Sequence, residues 1–453
     1  MQNLPETERG LPRHLFRMTW PMLFGVLSLM SYQLADSAFI GQLGVDPLAT
    51  LGFTVPMQQL IIGVQVGLGI ATTAVIARVL GRQQEQHARE LGGVVVLGGA
   101  LVIMLLCGLI WFSRHWLLAR LGADPSLMPL AEAYWPVWLL SAWLGAMLYF
   151  GYSLCRAHGD TRWPGLIMVA TSALNIVLDP LYIFHFDGGL PGAAWATVTA
   201  FSSGLLVVYG RLFKLRWFSF RRHEVRLSAA IREIGTTFGP ATISQLMPPL
   251  SAMLATALVA DFGAAAVGAW GIGTRMEFFS IVVVLALTMS MPPIIGRYLG
   301  AGQIGQIRAL VGLAVRFVIA WQLLIAGLWW LLSTSLSQLL ATDTDVVAIL
   351  ADYLQRVPLS YGGLGVCMLM VSSCNALGMP LRAMVTSFAR LFVCYLPALW
   401  LGGYLADIPG LLTGAALGNL AAGASAWHLY RLGLRQMEAD HRGRTAAAGT
   451  NGA

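Results

Sequence analysis

Charge is scarce in this chain. Lysine, arginine, aspartate and glutamate make up 11% of its 453 residues, 57% of positions are hydrophobic, and the mean hydropathy is +0.70. Soluble globular proteins carry roughly 25% charged residues, so the shortage excludes an ordinary soluble fold and indicates an integral membrane protein. Cysteine is scarce as well. The five at positions 107, 155, 367, 374 and 394 lie in apolar runs at no metal-type spacing, and read as small buried hydrophobes rather than disulfides or ligands. No Gly-x-x-x-x-Gly-Lys-Ser/Thr loop is present to cradle nucleotide phosphates, which excludes an ATP-driven pump. No Gly-x-Gly-Asp occurs either, which argues against an intramembrane aspartyl protease. No enzyme activity, metal or cofactor is expected. Met1–Gly10 is polar, so no cleavable signal is expected and the first apolar span serves for insertion.

What the chain has in quantity is long charge-free runs. Six lie at 18–35, 47–77, 91–113, 133–155, 163–178 and 188–210, and six more at 234–260, 278–296, 317–342, 357–381, 391–406 and 408–430. About 20 apolar residues cross a bilayer core, so twelve transmembrane helices are predicted. The net charge of +7 comes from arginines and the single lysine clustered in alternate loops: Arg9, Arg13 and Arg17; Arg78, Arg82 and Arg89; Arg156 and Arg162; Lys214, Arg216, Arg221, Arg222 and Arg226; Arg297 and Arg308; Arg382; Arg431 and Arg435. This is the positive-inside distribution, which places both termini in the cytoplasm and makes nucleic-acid binding a poor explanation of the charge. The opposite loops are short and acidic, with Arg114 and Arg120 as exceptions.

The chain repeats itself at an offset of 219 residues. Pro21 matches Pro240, Gly44 matches Gly263, Arg78-Val-Leu-Gly81 matches Arg297-Tyr-Leu-Gly300, Asp124 matches Asp343, Tyr134 matches Tyr353, and Gly159 matches Gly378. Six spans per half gives both halves the same orientation, so an all-α membrane fold of two six-helix lobes related by a pseudo-two-fold axis along the membrane normal is predicted. The N-lobe covers residues 1–212, a basic cytoplasmic linker 213–230, the C-lobe 231–432 and a polar tail 433–453. The linker is expected to rest at anionic headgroups.

Where the halves differ, function has room to have been added. Asp36, Asn175 and Asp179 correspond to Ala255, Cys394 and Ala398, so the acids are not demanded by the six-helix fold. A carboxylate in lipid is costly unless it faces a wetted, protein-lined cavity. Asn175 and Asp179 lie four apart on one helix face, and Pro180 opens the backbone beside them. Counted from the loops, Asp36, Asp179, Tyr134, Thr197 and Thr199 share one depth, with Tyr32 and Gln33 on the face of Asp36. Plainer roles exist for several: snorkelling for Asp36, an aromatic belt for Tyr134, and helix packing for the threonines. Met57, Trp138 and Trp195 are candidates for a substrate cavity or for core, and Arg275 and Glu277 are intramembrane charges in the second half.

Residues 11–432 resemble the multidrug and toxic compound extrusion family, in its DNA-damage-inducible-protein-F-like branch. The resemblance rests on the twelve spans, on Leu-Ala-Asp36-Ser-Ala-Phe-Ile-Gly, and on Asn175-Ile-Val-Leu-Asp179-Pro180-Leu-Tyr-Ile-Phe. It implies a monomeric inner-membrane antiporter that exports cationic amphipathic drugs and dyes for H⁺ or Na⁺ by rocking of two lobes. It implies further that Asp36 and Asp179 bind the ion, supported by Asn175, Tyr134 and Thr197 or Thr199, and that the first helix bends at Pro21. Sodium-coupled relatives place a glutamate in the seventh helix, where this chain reads Gln245-Leu-Met-Pro248-Pro249. A sodium site in the C-lobe is therefore not expected. A proton is the expected coupling ion, because two acids at one depth in an apolar lobe can change protonation as a coupled pair, with Na⁺ at Asp36, Asp179 and Asn175 as the alternative. A lipid-linked-oligosaccharide flippase of the same superfamily is the alternative function.

Overall fold

A computed structural model describes residues 10–221 and 226–450, with side chains through residue 439. Arg9 and Arg222 of the basic loops lie outside the described residues. Every regular element described is helical. The chain runs through α1 (Leu11–Gly41), α2 (Val45–Gly81), α3 (Glu85–Arg120), α4 (Met128–Ala157), α5 (Arg162–Pro180) and α6 (Gly189–Leu215). It continues through α7 (Leu227–Ala260), α8 (Ala264–Ser280), α9 (Val282–Gly300), α10 (Ile304–Leu340), α11 (Thr344–Arg356), α12 (Tyr361–Ala376), α13 (Pro380–Phe388) and α14 (Leu396–Thr450). Eleven helical stretches among the described residues are long and apolar enough to span a membrane. The last, Pro380–Ala439, breaks at Ala406 and Asp407, whose backbone is non-helical, so it counts as two and the crossings number twelve.

The repeat is legible in the backbone. Gly44 and Gly263 precede α2 and α8 with φ of 113° and 96°, Gln83 and Gly302 follow α2 and α9 with φ of 62° and 73°, and Gly159 and Gly378 have φ of 83° and 77°. Asp124 and Asp343 both cap the turn that follows them, Asp124 accepting the Ser126 N–H at 2.8 Å and Asp343 the N–H groups of Asp345 and Val346 at 2.9 and 3.1 Å. The hydrogen bonds from Ser126 hold the Asp124 carboxyl below its ordinary value. In the first unit α4 is the central helix, packed on α2, α3, α5 and α6. It is largely apolar and buries Trp135 and Phe150 completely. In the second unit α12 takes that place, against α9, α10 and α14.

The two compact units are Arg13–Leu246 and Met247–Ala453, so their boundary falls inside α7 rather than in the 213–230 segment. The packing shows why. Gly63 and Gly67 of α2 lie against Leu246 and Thr242 of α7, and the His87 imidazole meets the Glu233 carboxylate at 3.0 Å. The linker is also shorter than its sequence suggests, since α6 runs to Leu215 and α7 starts at Leu227. Part of it is seated on protein: Trp217 stacks on His158 with ring centroids 4.4 Å apart, Phe218 is buried, and the Ser219 N–H donates to the Arg89 carbonyl at 2.9 Å.

Gly44 and Gly263 combine positive φ with ψ of −171° and 175°, a region open essentially to glycine alone. Alanine at either position meets no neighbouring atom, so any loss is backbone strain. Gly44→Ala and Gly263→Ala should each destabilise the protein by about 1–3 kcal/mol, read as a lower unfolding midpoint in detergent. Gly52→Ala, inside α2 and equally unobstructed, should not lower it.

Candidate functional site

The acids sit on α1 and α5, and these helices approach closely. A side chain at Gly165 would strike the Pro21 carbonyl, and one at Gly25 would strike Met168, so two glycines let the backbones touch. Farther along, α5 ends at Pro180 and widens into a π-helical turn, Leu181–His185. Proline removes a donor and crowds the preceding turn, and the backbone responds by opening just after the acid. π-Turns of this kind recur at functional sites.

Asp179 and Asn175 are both fully buried, on one face of α5. The Asn175 amide joins α5 to α6. With its nitrogen turned to Asp179 Oδ2 at 3.3 Å, its oxygen accepts from the Thr197 hydroxyl at 3.1 Å and from the Thr197 N–H at 3.2 Å. In that orientation each neighbour has a matching partner. Asp36 is half-buried on α1 and is an electrostatic neighbour of Asp179, Tyr32 and the buried Tyr134. Tyr32 packs edge-on against Phe201 of α6, centroids 6.3 Å apart. Asp36 Oδ1 and Asp179 Oδ1 are buried and find no donor among the described residues. A buried carboxylate oxygen without a donor is unfavourable, and a proton or a monovalent cation is what such a pair can accept.

The remaining candidates separate. Thr199 is not in the Asn175 cluster; its hydroxyl donates to the Trp195 carbonyl at 2.9 Å and lies 3.3 Å from the Tyr182 hydroxyl. Met57 and Trp138 are buried core residues, whereas Trp195 is 45% exposed and Gln33 is exposed. In the second unit the Tyr353 hydroxyl donates to Glu277 Oε2 at 3.5 Å, and Arg390, Tyr361 and Tyr395 are electrostatic neighbours of that carboxylate. Arg275 is exposed and takes no part in this cluster. The cluster escapes a reading by runs, because Arg390 marks the edge of a span there. Its signal is that this lone arginine corresponds to Thr171 in the first half. Among the described residues no three His, Cys, Asp or Glu side chains converge as a metal cage would need.

Twelve crossings in two similar units, with Asp179 buried and Asp36 half-buried in one of them, define a membrane protein of duplicated six-helix units, and its relatives are transporters rather than enzymes. The chain belongs to the family described as MatE, which matches residues 21–181 and again 240–401. The two matches begin at the paired prolines, one repeat apart. A crystal structure of the MATE transporter VcmN of Vibrio cholerae, in the bent form, superposes with a TM-score of 0.93 at 51% identity, covering 95% of this chain and 98% of that one. A FAD transporter of Shewanella oneidensis is 30% identical over 428 residues, 92% of this chain and 94% of the relative. The probable multidrug resistance protein YpnP of Bacillus subtilis is 27% identical over 444 residues, 94% and 96% of the two chains.

Among the described residues the Asp36 and Asp179 pair lies in the first unit and has no counterpart at the matching positions of the second. Asp179→Asn and Asn175→Ala should therefore lower transport by about tenfold or more, the scale of a lost hydrogen bond to a charged group. Matched changes at Cys394 and Ala398 should leave it near wild type. Equal sensitivity of both sets in vesicle transport would contradict the asymmetry.

Proposed function

We propose that this transporter exports cationic amphipathic compounds from the cytoplasm of a bacterium in exchange for protons, as a monomer in the inner membrane with both termini cytoplasmic. The observation that carries the reading is the pair Asp36 and Asp179. The two are electrostatically linked, each has a buried oxygen to which the protein offers no donor, and both are absent from the matching positions of the second unit. Two interacting acids titrate as a pair. A proton arriving from outside removes negative charge from the site and weakens its hold on a cation. Drug and proton compete for one charge, which is the requirement of antiport. Pro21 suits a pivot in α1, because it makes no helical N–H bond and its carbonyl rests directly on Gly165. Asn175 and Thr197 hold Asp179 in place whichever partner it has. Support for multidrug export comes from relatives such as the multidrug export protein MepA of Staphylococcus aureus.

Sodium at Asp36, Asp179 and Asn175 is the competing choice of ion, since oxygen ligands suit it also. A second reading of the cargo has one specific observation behind it: the relative at 30% identity is a FAD transporter, which makes flavin nucleotides a substrate class to test beside cations.

In sodium-free proteoliposomes an inward proton gradient should drive efflux of tetraphenylphosphonium by the wild-type protein. Asp36→Asn should abolish that efflux while inserting into the membrane normally, because its repeat partner is Ala255. Efflux that ignores the proton gradient and follows a sodium gradient would overturn the proton assignment; wild-type efflux by Asp36→Asn would overturn the site.

A further inference from the structure

Arg275 of α8 is a charge of the second unit that proton–cation exchange leaves unused. It lies on α8, eleven residues past Ala264, about 16 Å along the helix at the α-helical rise. Its counterpart in the first half is Pro56, so the six-helix fold does not require a cation there. The side chain is exposed on its unit and makes no ion pair or hydrogen bond among the described residues. Glu277, two residues on, does not neutralise it. Residues two apart do not face each other on a helix, and Glu277 is taken up by Tyr353 and has Arg390 as its charged neighbour.

An uncompensated guanidinium is costly in hydrocarbon and persists where it reaches a wetted cavity and a partner of opposite charge. The surroundings of Arg275 suit a ligand with an aromatic body. One turn back on the same face, a Cβ added to Gly271 would meet nothing within 4 Å. One turn forward, Phe278 and Phe279 are 49% and 48% exposed. The planar fork of arginine pairs bidentately with carboxylate and phosphate oxygens, and flanking aromatic rings offer stacking surface.

We propose that Arg275 receives the anionic group of an exported compound, so that this transporter carries aromatic amphipathic anions, with flavin nucleotides as the class to test, in addition to cations. The inference rests on the export reading above and assigns it a specificity-determining residue in the second unit. For a cation the proton competes for the carboxylates of the first unit; an anion held by Arg275 does not occupy those acids and is coupled instead through the change of state that their protonation drives.

The test uses the full chain in proteoliposomes under a proton gradient, with FAD and tetraphenylphosphonium measured in the same preparation and riboflavin as the phosphate-free control. Wild type should transport both FAD and tetraphenylphosphonium. In Arg275→Gln the ratio of FAD to tetraphenylphosphonium transport should fall by about tenfold or more, as expected for a lost charge-assisted hydrogen bond. The riboflavin to tetraphenylphosphonium ratio should not change, and Arg275→Lys should be intermediate in the FAD ratio. Because ratios are read within one preparation, a poorly folded variant cannot imitate the result. An unchanged FAD ratio in Arg275→Gln overturns the proposal, as does a wild-type protein that carries tetraphenylphosphonium but not FAD. A wild type that carries neither overturns the export reading together with it.

Discussion

The buried carboxylate of Asp179 is the constraint to which the first unit is fitted. An ionised oxygen inside an apolar bundle must be met by donors, by another charge or by a proton. With its nitrogen turned to Asp179, the Asn175 amide supplies one donor, and Thr197 of α6 braces that amide. It leaves the other oxygen open and sets a second acid, Asp36, within electrostatic reach. The surrounding structure makes this arrangement possible. Gly165 and Gly25 bring α1 against α5, the π-turn after Pro180 loosens the backbone beside the acid, and the buried α4 packs behind both α5 and α6.

Duplication explains how such a site can be tolerated. A six-helix unit that folds with alanine and cysteine at these positions, as the second unit does, needs no acid for its stability. Acids placed in only one copy are thus available for function, and the second copy is free to develop its own polar groups. It has done so. Glu277, Tyr353, Tyr361, Tyr395 and Arg390 gather on α8, α11, α12 and the π-helical turn at 389–395, where the first half has glutamine at position 58 and threonine at 171. Tyr134 and Tyr353 show the same divergence in one pair of twins: each is buried, the first near Asp36 and the second against Glu277.

Much of this architecture could be read from the chain itself, because membrane burial writes its rules in composition. The spans follow from charge-free runs, and the repeat follows from paired glycines, prolines and arginines that prove to share backbone conformation. The juxtaposition of Asn175 with Asp179 follows from helical spacing alone. What could not be read depends on tertiary direction. Thr197 and Thr199 lie at nearly the same depth, and only the packing of α5 on α6 decides that Thr197 meets Asn175 while Thr199 turns to Tyr182. Met57 and Trp138 have the chemistry of a drug pocket but are held in the core. The seat of Ser219 on α3 and the pairing of His87 with Glu233 join segments distant in sequence, and no local pattern announces them. The same contacts carry the first unit through Leu246, beyond where composition alone would end it.

The central claim is that proton and cation occupy the same carboxylate pair by turns. It is tested most directly by counting protons released when tetraphenylphosphonium binds the purified protein, from calorimetry in buffers of different ionisation enthalpy near neutral pH. The account predicts net proton release on binding in wild type, with the release lost in Asp36→Asn and in Asp179→Asn. Binding without proton release in wild type, or undiminished release in both variants, would contradict it.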